Sequence, residues 1–172
     1  MLNKNKIART PCNNFYHDIG IPETILDTQS FVQERIKKYY GNDDLSCTTA
    51  NLKILSEKFN IKLSDQVYDS AVGMHGAGEY GAQCGLVEGT LMFLGIIGRL
   101  MHVPDEETVY SCNEFARKFE KQFSSLLCSI LRPQGFHPNN PPHICEGLTC
   151  KAICFNIEFV GNFITKYYTH AR

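Results

Sequence analysis

The sequence carries almost no net charge, with 17 Lys and Arg against 18 Asp and Glu. That removes the electrostatic reason to expect a nucleic-acid or anionic-membrane partner. Its start, Met1-Leu2-Asn3-Lys4-Asn5-Lys6, has lysines with no apolar segment behind them, so no secretory signal is expected. It also lacks a long uncharged apolar run. The longest, Leu86 to Val103, contains Glu88 and Arg99 and reads as a buried helix, with no membrane insertion. Apolar–polar alternation never lasts more than a few residues, which argues against a sheet. Compact Cys-x-x-Cys spacing is missing too, and with it the zinc, ferredoxin and c-type haem patterns that depend on it.

Cysteine itself is abundant, at 8 of 172 residues. With no signal peptide the expected compartment is the reducing cytoplasm, where structural disulfides are rare. Eight thiols then point to metal ligation or redox chemistry, against the simpler reading that several fill the core as small hydrophobes. The chain is long enough for one domain with a real core.

Helical periodicity organises nearly all of it. The expected architecture is all-α, a single-domain multi-helix bundle with a glycine-rich loop and a proline-rich loop. Residues 1–21 form a polar arm in which Cys12 is incidental, and residues 22–172 form the helical domain. A first helix opens at Pro22-Glu23 and carries Leu26, Val32, Ile36 and Tyr39 on one face until Gly41. Ser46 or Asp44 caps the next, placing Cys47 in its first turn with Ala50, Ile54, Leu55 and Phe59 inward. A third helix spans 64–72. Pro104-Asp105-Glu106-Glu107 starts another, with the stripe Val109, Cys112, Phe115, Ala116, Phe119 and Phe123, and Cys112 is read as core. A short segment from Leu126 to Leu131 contains Cys128. The stretch 132–149 is proline-rich, and the last helix opens at Thr149 as N-cap with Ile153, Ile157, Val160 and Ile164 buried.

The centre of the chain is the segment from Gly73 to Gly89, which holds six of the 13 glycines and leads into an apolar helix. Cys84 stands at that junction. A helix start offers free N–H groups and a positive dipole end, which favour a thiolate. Lowering its pKa from about 8.5 to about 6.5 requires roughly 2.7 kcal/mol, within reach of such a site plus a metal, so Cys84 is expected to be a working sulfur. Cys47, Cys84, Cys128 and Cys150 all fall near helix starts in this reading, as if helix ends converged on one centre. Cys145 and Cys154 are lower-ranked candidates for the fourth place, because Cys150 and Cys154 share a helix face and Cys145 lies in the adjoining loop. His75 is read as a turn residue or a metal ligand, and His143-Ile144-Cys145 as a loop segment or a chelating one. Glu88, a carboxylate on an apolar helix, either accepts a hydrogen bond at a helix contact or exchanges protons. Gly76-x-Gly78-x-x-Gly81 matches a dinucleotide fingerprint in letters only, since no strand precedes it.

Cys84-Gly85-Leu86-Val87-Glu88-Gly89, with the glycine loop before it and the apolar helix after it, resembles the signature of a redox-active protein family named for its pattern C…GCAxxG…C…C. Cys47, Cys128 and Cys150 resemble that family's first, third and fourth cysteines, and the similarity covers roughly residues 30–165. Leu86 stands where the family usually has alanine, which alters the packing beside Cys84. A similar module in split-Soret cytochromes is associated with a two-iron two-sulfur cluster. The resemblance therefore implies an iron–sulfur electron-transfer protein with Cys47, Cys84, Cys128 and Cys150 as ligands, an unidentified redox partner protein, and a homodimer whose interface cannot be read from the residues. Two other readings stand beside it: a thiol–disulfide oxidoreductase with Cys84 as nucleophile, and a structural zinc-binding interaction module.

Overall fold

A computed structural model describes residues 25–169, so the arm with Cys12 and the helix opening at Pro22-Glu23 lie outside the described residues. Eight α-helices follow one another and, among the described residues, there is no strand. Helix α1 (Ile25–Ile36) continues into a π-helical turn (Lys37–Asn42) that carries the chain past Gly41. Val32, Ile36, Tyr39 and Tyr40 are buried along this face. Ser46 caps α2 (Cys47–Lys58), its Oγ accepting the Thr49 N–H at 3.3 Å. The capping thus falls to Ser46, with Asp44 left outside the helix.

A short α3 (Asp65–Ser70) leads to the glycine loop, which contains one helical turn, α4 (Gly76–Glu79). Gly76, Gly78 and Gly81 take φ of 66°, 62° and 96°, the left-handed values for which glycine suits this loop. The apolar α5 (Gly85–Leu100) and the acid-led α6 (Asp105–Phe123) form the next pair. Phe115 and Phe119 are fully buried as the α6 stripe predicts. Val109 is not, because it lies 67% exposed in the first turns of α6. After the left-handed Ser124 comes α7 (Cys128–Leu131), then the proline-rich loop, then α8 (Glu146–Thr169).

Helix α5 is the central element and packs on α2, α6 and α8, while α1 lies along α8. Close approach of α2 and α5 depends on glycine. A Cβ at Gly89 would stand 3.0 Å from Asn51 Nδ2 and 3.1 Å from the Thr48 carbonyl. Beneath that contact, Asn51 Nδ2 donates to the Leu86 carbonyl at 3.1 Å and to Thr90 Oγ1 at 3.0 Å. Asn156 of α8 donates to Asn51 Oδ1 at 3.2 Å and to the same Leu86 carbonyl at 3.3 Å. All three side chains are fully buried, so a polar knot fixes the register of α2, α5 and α8 just below the start of α5.

No described helix is long and apolar enough to cross a membrane.

Candidate sulfur site

Two stretches of backbone bring Cys84 and Cys128 together. The Cys84 N–H donates to the Leu126 carbonyl at 2.8 Å, the Cys128 N–H to Ala82 at 2.7 Å, and the Ser129 N–H to Gly81 at 3.0 Å. Gln83 and Leu127 form an isolated antiparallel bridge between these bonds. Residues 81–84 and 126–129 therefore run side by side, with one cysteine at the end of each. Glycine makes the remaining room. A Cβ at Gly76 would sit 3.2 Å from Cys128 Sγ, and one at Gly85 would sit 2.6 Å from Cys47 Sγ and 2.2 Å from Thr48 Oγ1.

The last helix brings a fourth cysteine to the same cavity, at its start. Helix α8 starts at Glu146, with the Cys145 carbonyl accepting the Thr149 N–H at 2.8 Å. Thr149 is not the N-cap. It is fully buried inside the helix, its Oγ1 3.1 Å from the Tyr40 hydroxyl. Cys145 consequently stands at the helix start and Cys150 lies more than a turn along it. Cys47, Cys84, Cys128 and Cys145 all line one cavity of about 570 Å³, whereas Cys150 and Cys154 do not. The seven described cysteines are all free. Cys112 packs against the core from α6.

The surroundings of the four thiols are mostly apolar, and their acidity shows it. Burial pushes Cys47 up to about 12, helped by repulsion from charge on Cys84, Cys128 and Cys145. Burial likewise pushes Cys84 up to about 11, although the N–H groups of Leu86 and Val87 at the start of α5 favour its thiolate. The helix start acts on Cys84 in the anticipated direction, and without a metal desolvation outweighs it. Cys128 and Cys145 are also raised by burial, with the Arg132 guanidinium opposing the shift at both.

Residues other than cysteine also line the cavity. Tyr40 lines the cavity, and its ring stacks on His143 at 4.0 Å between centroids. His143 Nε2 lies 2.8 Å from Asp44 Oδ1, fastening the proline-rich loop to the turn before α2. Arg132 is held by its Nε donating to the Gly135 carbonyl at 2.8 Å and by the Phe136 ring 4.2 Å away. Its place four residues after Cys128 was the available clue. His75 also lines the cavity, with Nδ1 2.9 Å from the Val72 carbonyl and Nε2 3.8 Å from Glu79. Leu86, in the family's alanine position, is buried and lines the cavity as well.

Thr48 Oγ1, buried beside Cys47, has no hydrogen bond of good geometry, and its nearness slightly favours the Cys47 thiolate. Among the described residues no three His, Cys, Asp or Glu side chains converge as ligands of a single ion. The donor set nonetheless fits a soft metal–sulfur group in its chemistry: four thiols from four chain segments, a neighbouring cation, and glycines where bulk would intrude.

The fold and site define a helical domain in which cysteines from distant helix starts gather around one cavity. The match to known families is narrower. Residues 45–158 match the family described as "Putative redox-active protein (C_GCAxxG_C_C)", and the chain belongs to that family. Neither a curated protein nor a solved structure matches it.

Proposed function

We propose that the chain is an electron-transfer protein that holds an iron–sulfur cluster on Cys47, Cys84, Cys128 and Cys145. The observation that carries this reading is the shared cavity of those four thiols. Cys145 replaces Cys150 in the set because α8 begins at Glu146. A cluster of two irons presents two metal ions to its ligands, so four thiolates need not converge on one point. That suits this arrangement better than a single tetrahedral zinc, which demands convergence.

When bound, the cluster would supply one-electron chemistry, and the protein sets access and potential. The chain's own residues divide that work. Burial shields the sulfurs in part, Arg132 offsets negative charge at Cys128 and Cys145, and the N–H groups of Leu86 and Val87 favour the Cys84 thiolate. Burial disfavours a free thiolate at Cys84, whereas metal ligation removes the proton. A reducing, cytoplasmic setting and a protein redox partner belong to the same proposal.

Anaerobic purification, an absorption spectrum, and iron and sulfide quantitation test it. Visible charge-transfer bands with matching iron and sulfide are expected. Serine at 47, 84, 128 or 145 should lower bound iron severalfold, while Cys150→Ser and Cys154→Ser retain it. A colourless protein without sulfide, or full iron in Cys145→Ser with loss in Cys150→Ser, overturns the reading or its fourth ligand respectively.

A further inference from the structure

One buried polar atom is left over at the sulfur site. Thr48 follows Cys47 in the first turn of α2 and is fully buried. Among the described residues, its Oγ1 is one of two buried side-chain atoms able to hydrogen-bond that have no partner. The other, Asn156 Oδ1, lies in the polar knot between the helices. Leaving a hydroxyl unpaired in the interior costs about 1–3 kcal/mol. Valine has nearly the same shape and would fill the place without that cost.

Gly85 shows what the hydroxyl stands beside. A Cβ there would come 2.2 Å from Thr48 Oγ1 and 2.6 Å from Cys47 Sγ. Hydroxyl and sulfur thus border the same small space, which glycine keeps open next to Cys84. A neutral thiol is a weak acceptor for an O–H group. A thiolate is a good one, because hydrogen bonds to ionised groups are roughly twice as strong as neutral ones. The orphaned hydroxyl therefore gains a partner when Cys47 gives up its proton to become a ligand.

We propose that Thr48 is a positioning residue whose hydroxyl donates a hydrogen bond to the ligated Cys47 sulfur and thereby raises the reduction potential of the site. The inference rests on the cluster reading above. Taking up one electron from the partner protein adds negative charge to the sulfurs, and a donor beside them favours that state. No bond of Thr48 breaks, and its proton stays on the oxygen.

Two substitutions isolate the hydroxyl: Thr48→Val removes the donor with little change of shape, and Thr48→Ser keeps it. Each protein is purified anaerobically, its iron and sulfide are counted, and its visible bands are followed through a dithionite titration with mediator dyes. Thr48→Val should hold as much iron and sulfide as the wild type. Its equilibrium constant for one-electron reduction should fall about tenfold, or ~59 mV, while Thr48→Ser matches the wild type. In iron-free protein Thr48→Val should withstand at least as much urea as the wild type. An unshifted potential in Thr48→Val at full iron and sulfide overturns the proposal, as does an equal shift in Thr48→Ser. Lower urea resistance of iron-free Thr48→Val overturns it too, because the hydroxyl would then have a partner without the metal. Should folded Thr48→Val lose its iron, retention in Thr48→Ser assigns the loss to the hydroxyl, and equal loss in both sinks the idea. A wild type without iron and sulfide would instead fail the cluster reading itself.

Discussion

At the scale of single residues, the glycines separate stability from site geometry. Gly85 and Gly98 both lack space for a side chain. A Cβ would come 2.2 Å from Thr48 Oγ1 at Gly85 and 2.5 Å from Thr108 Oγ1 at Gly98. Alanine at either should cost about 1–3 kcal/mol by overpacking, read from urea unfolding. Only Gly85 also presses on Cys47 Sγ, so Gly85→Ala should lower bound iron while Gly98→Ala leaves it unchanged. Gly78, at φ 62° with nothing within 4 Å, supplies a third contrast: alanine there costs about 1–2 kcal/mol for its backbone conformation alone. Equal iron loss in all three variants would reduce the site effect to general instability. Glu88 gives a pH dependence. Half-buried in α5, its carboxyl is raised by burial alone, so the folded state prefers the protonated form. Its stabilising contribution is complete below the unfolded-state pKa of about 4.3 and is lost as pH rises through the higher folded value. Glu88→Gln should therefore unfold at higher urea than the wild type at pH 7, with the gap closing as pH falls below about 4. A gap that persists or widens in acid would place the effect elsewhere. Of the two sequence readings of Glu88, the first finds no hydrogen-bond partner among the described residues.

At the scale of elements, the start of α8 decides which sulfur faces the cavity. Thr149 looks like an N-cap in the sequence because threonine precedes a clean apolar stripe at Ile153, Ile157, Val160 and Ile164, and all four are indeed buried. The turn before it, Glu146-Gly147-Leu148, has weak periodicity and a glycine, so nothing local extends the helix through it. What does so is tertiary: the Tyr40 hydroxyl, from a π-helical turn more than 100 residues away in sequence, lies against Thr149. Substitution distinguishes the two roles. Asparagine serves an N-cap at least as well as threonine, but inside a buried helix turn it brings a second polar atom that the Tyr40 hydroxyl alone does not satisfy. Thr149→Asn should cost about 1–3 kcal/mol in urea unfolding, whereas a true cap would lose nothing. Elsewhere the element signals were sufficient. Ser46 and Pro104 announced their helices, and the run from Gly85 onward announced α5. The antiparallel pairing of 81–84 with 126–129 left no trace, because bonds between two irregular segments impose no periodicity on either. The convergence of Cys47, Cys84 and Cys128 was legible through their shared placement at helix starts and through the family resemblance. Tyr40 reaches the cavity through contacts that spacing cannot announce, whereas Arg132 had its place four residues after Cys128 and His143 its neighbour Cys145 as clues.

At the scale of the whole molecule, the cavity depends on three helices keeping one register. Cys47 opens α2, Cys84 precedes α5 and Cys145 precedes α8, so a slide of any helix would move its sulfur away from the others. The device against sliding is the knot around the Leu86 carbonyl, two residues beyond Cys84. That oxygen accepts from Thr90 Oγ1 at 2.8 Å as well as from Asn51 and Asn156. Asn156 Oδ1, by contrast, is buried with no partner, a cost the molecule bears for the geometry of the other bonds. A shared acceptor makes the donors interdependent. Asn51→Ala removes one donor and the acceptor of Asn156 together, leaving Asn156 with the carbonyl alone, and Asn156→Ala relieves its unpaired oxygen while loosening Asn51. Each single change should destabilise by about 1–3 kcal/mol, and the double variant by less than their sum, with a coupling of about 0.5–3 kcal/mol. Strict additivity in a double-mutant cycle would show that the two amides act independently and that helix register is held by apolar packing alone. Coupling together with a loss of iron larger than Gly98→Ala causes at equal stability would tie the knot to the placement of the sulfurs.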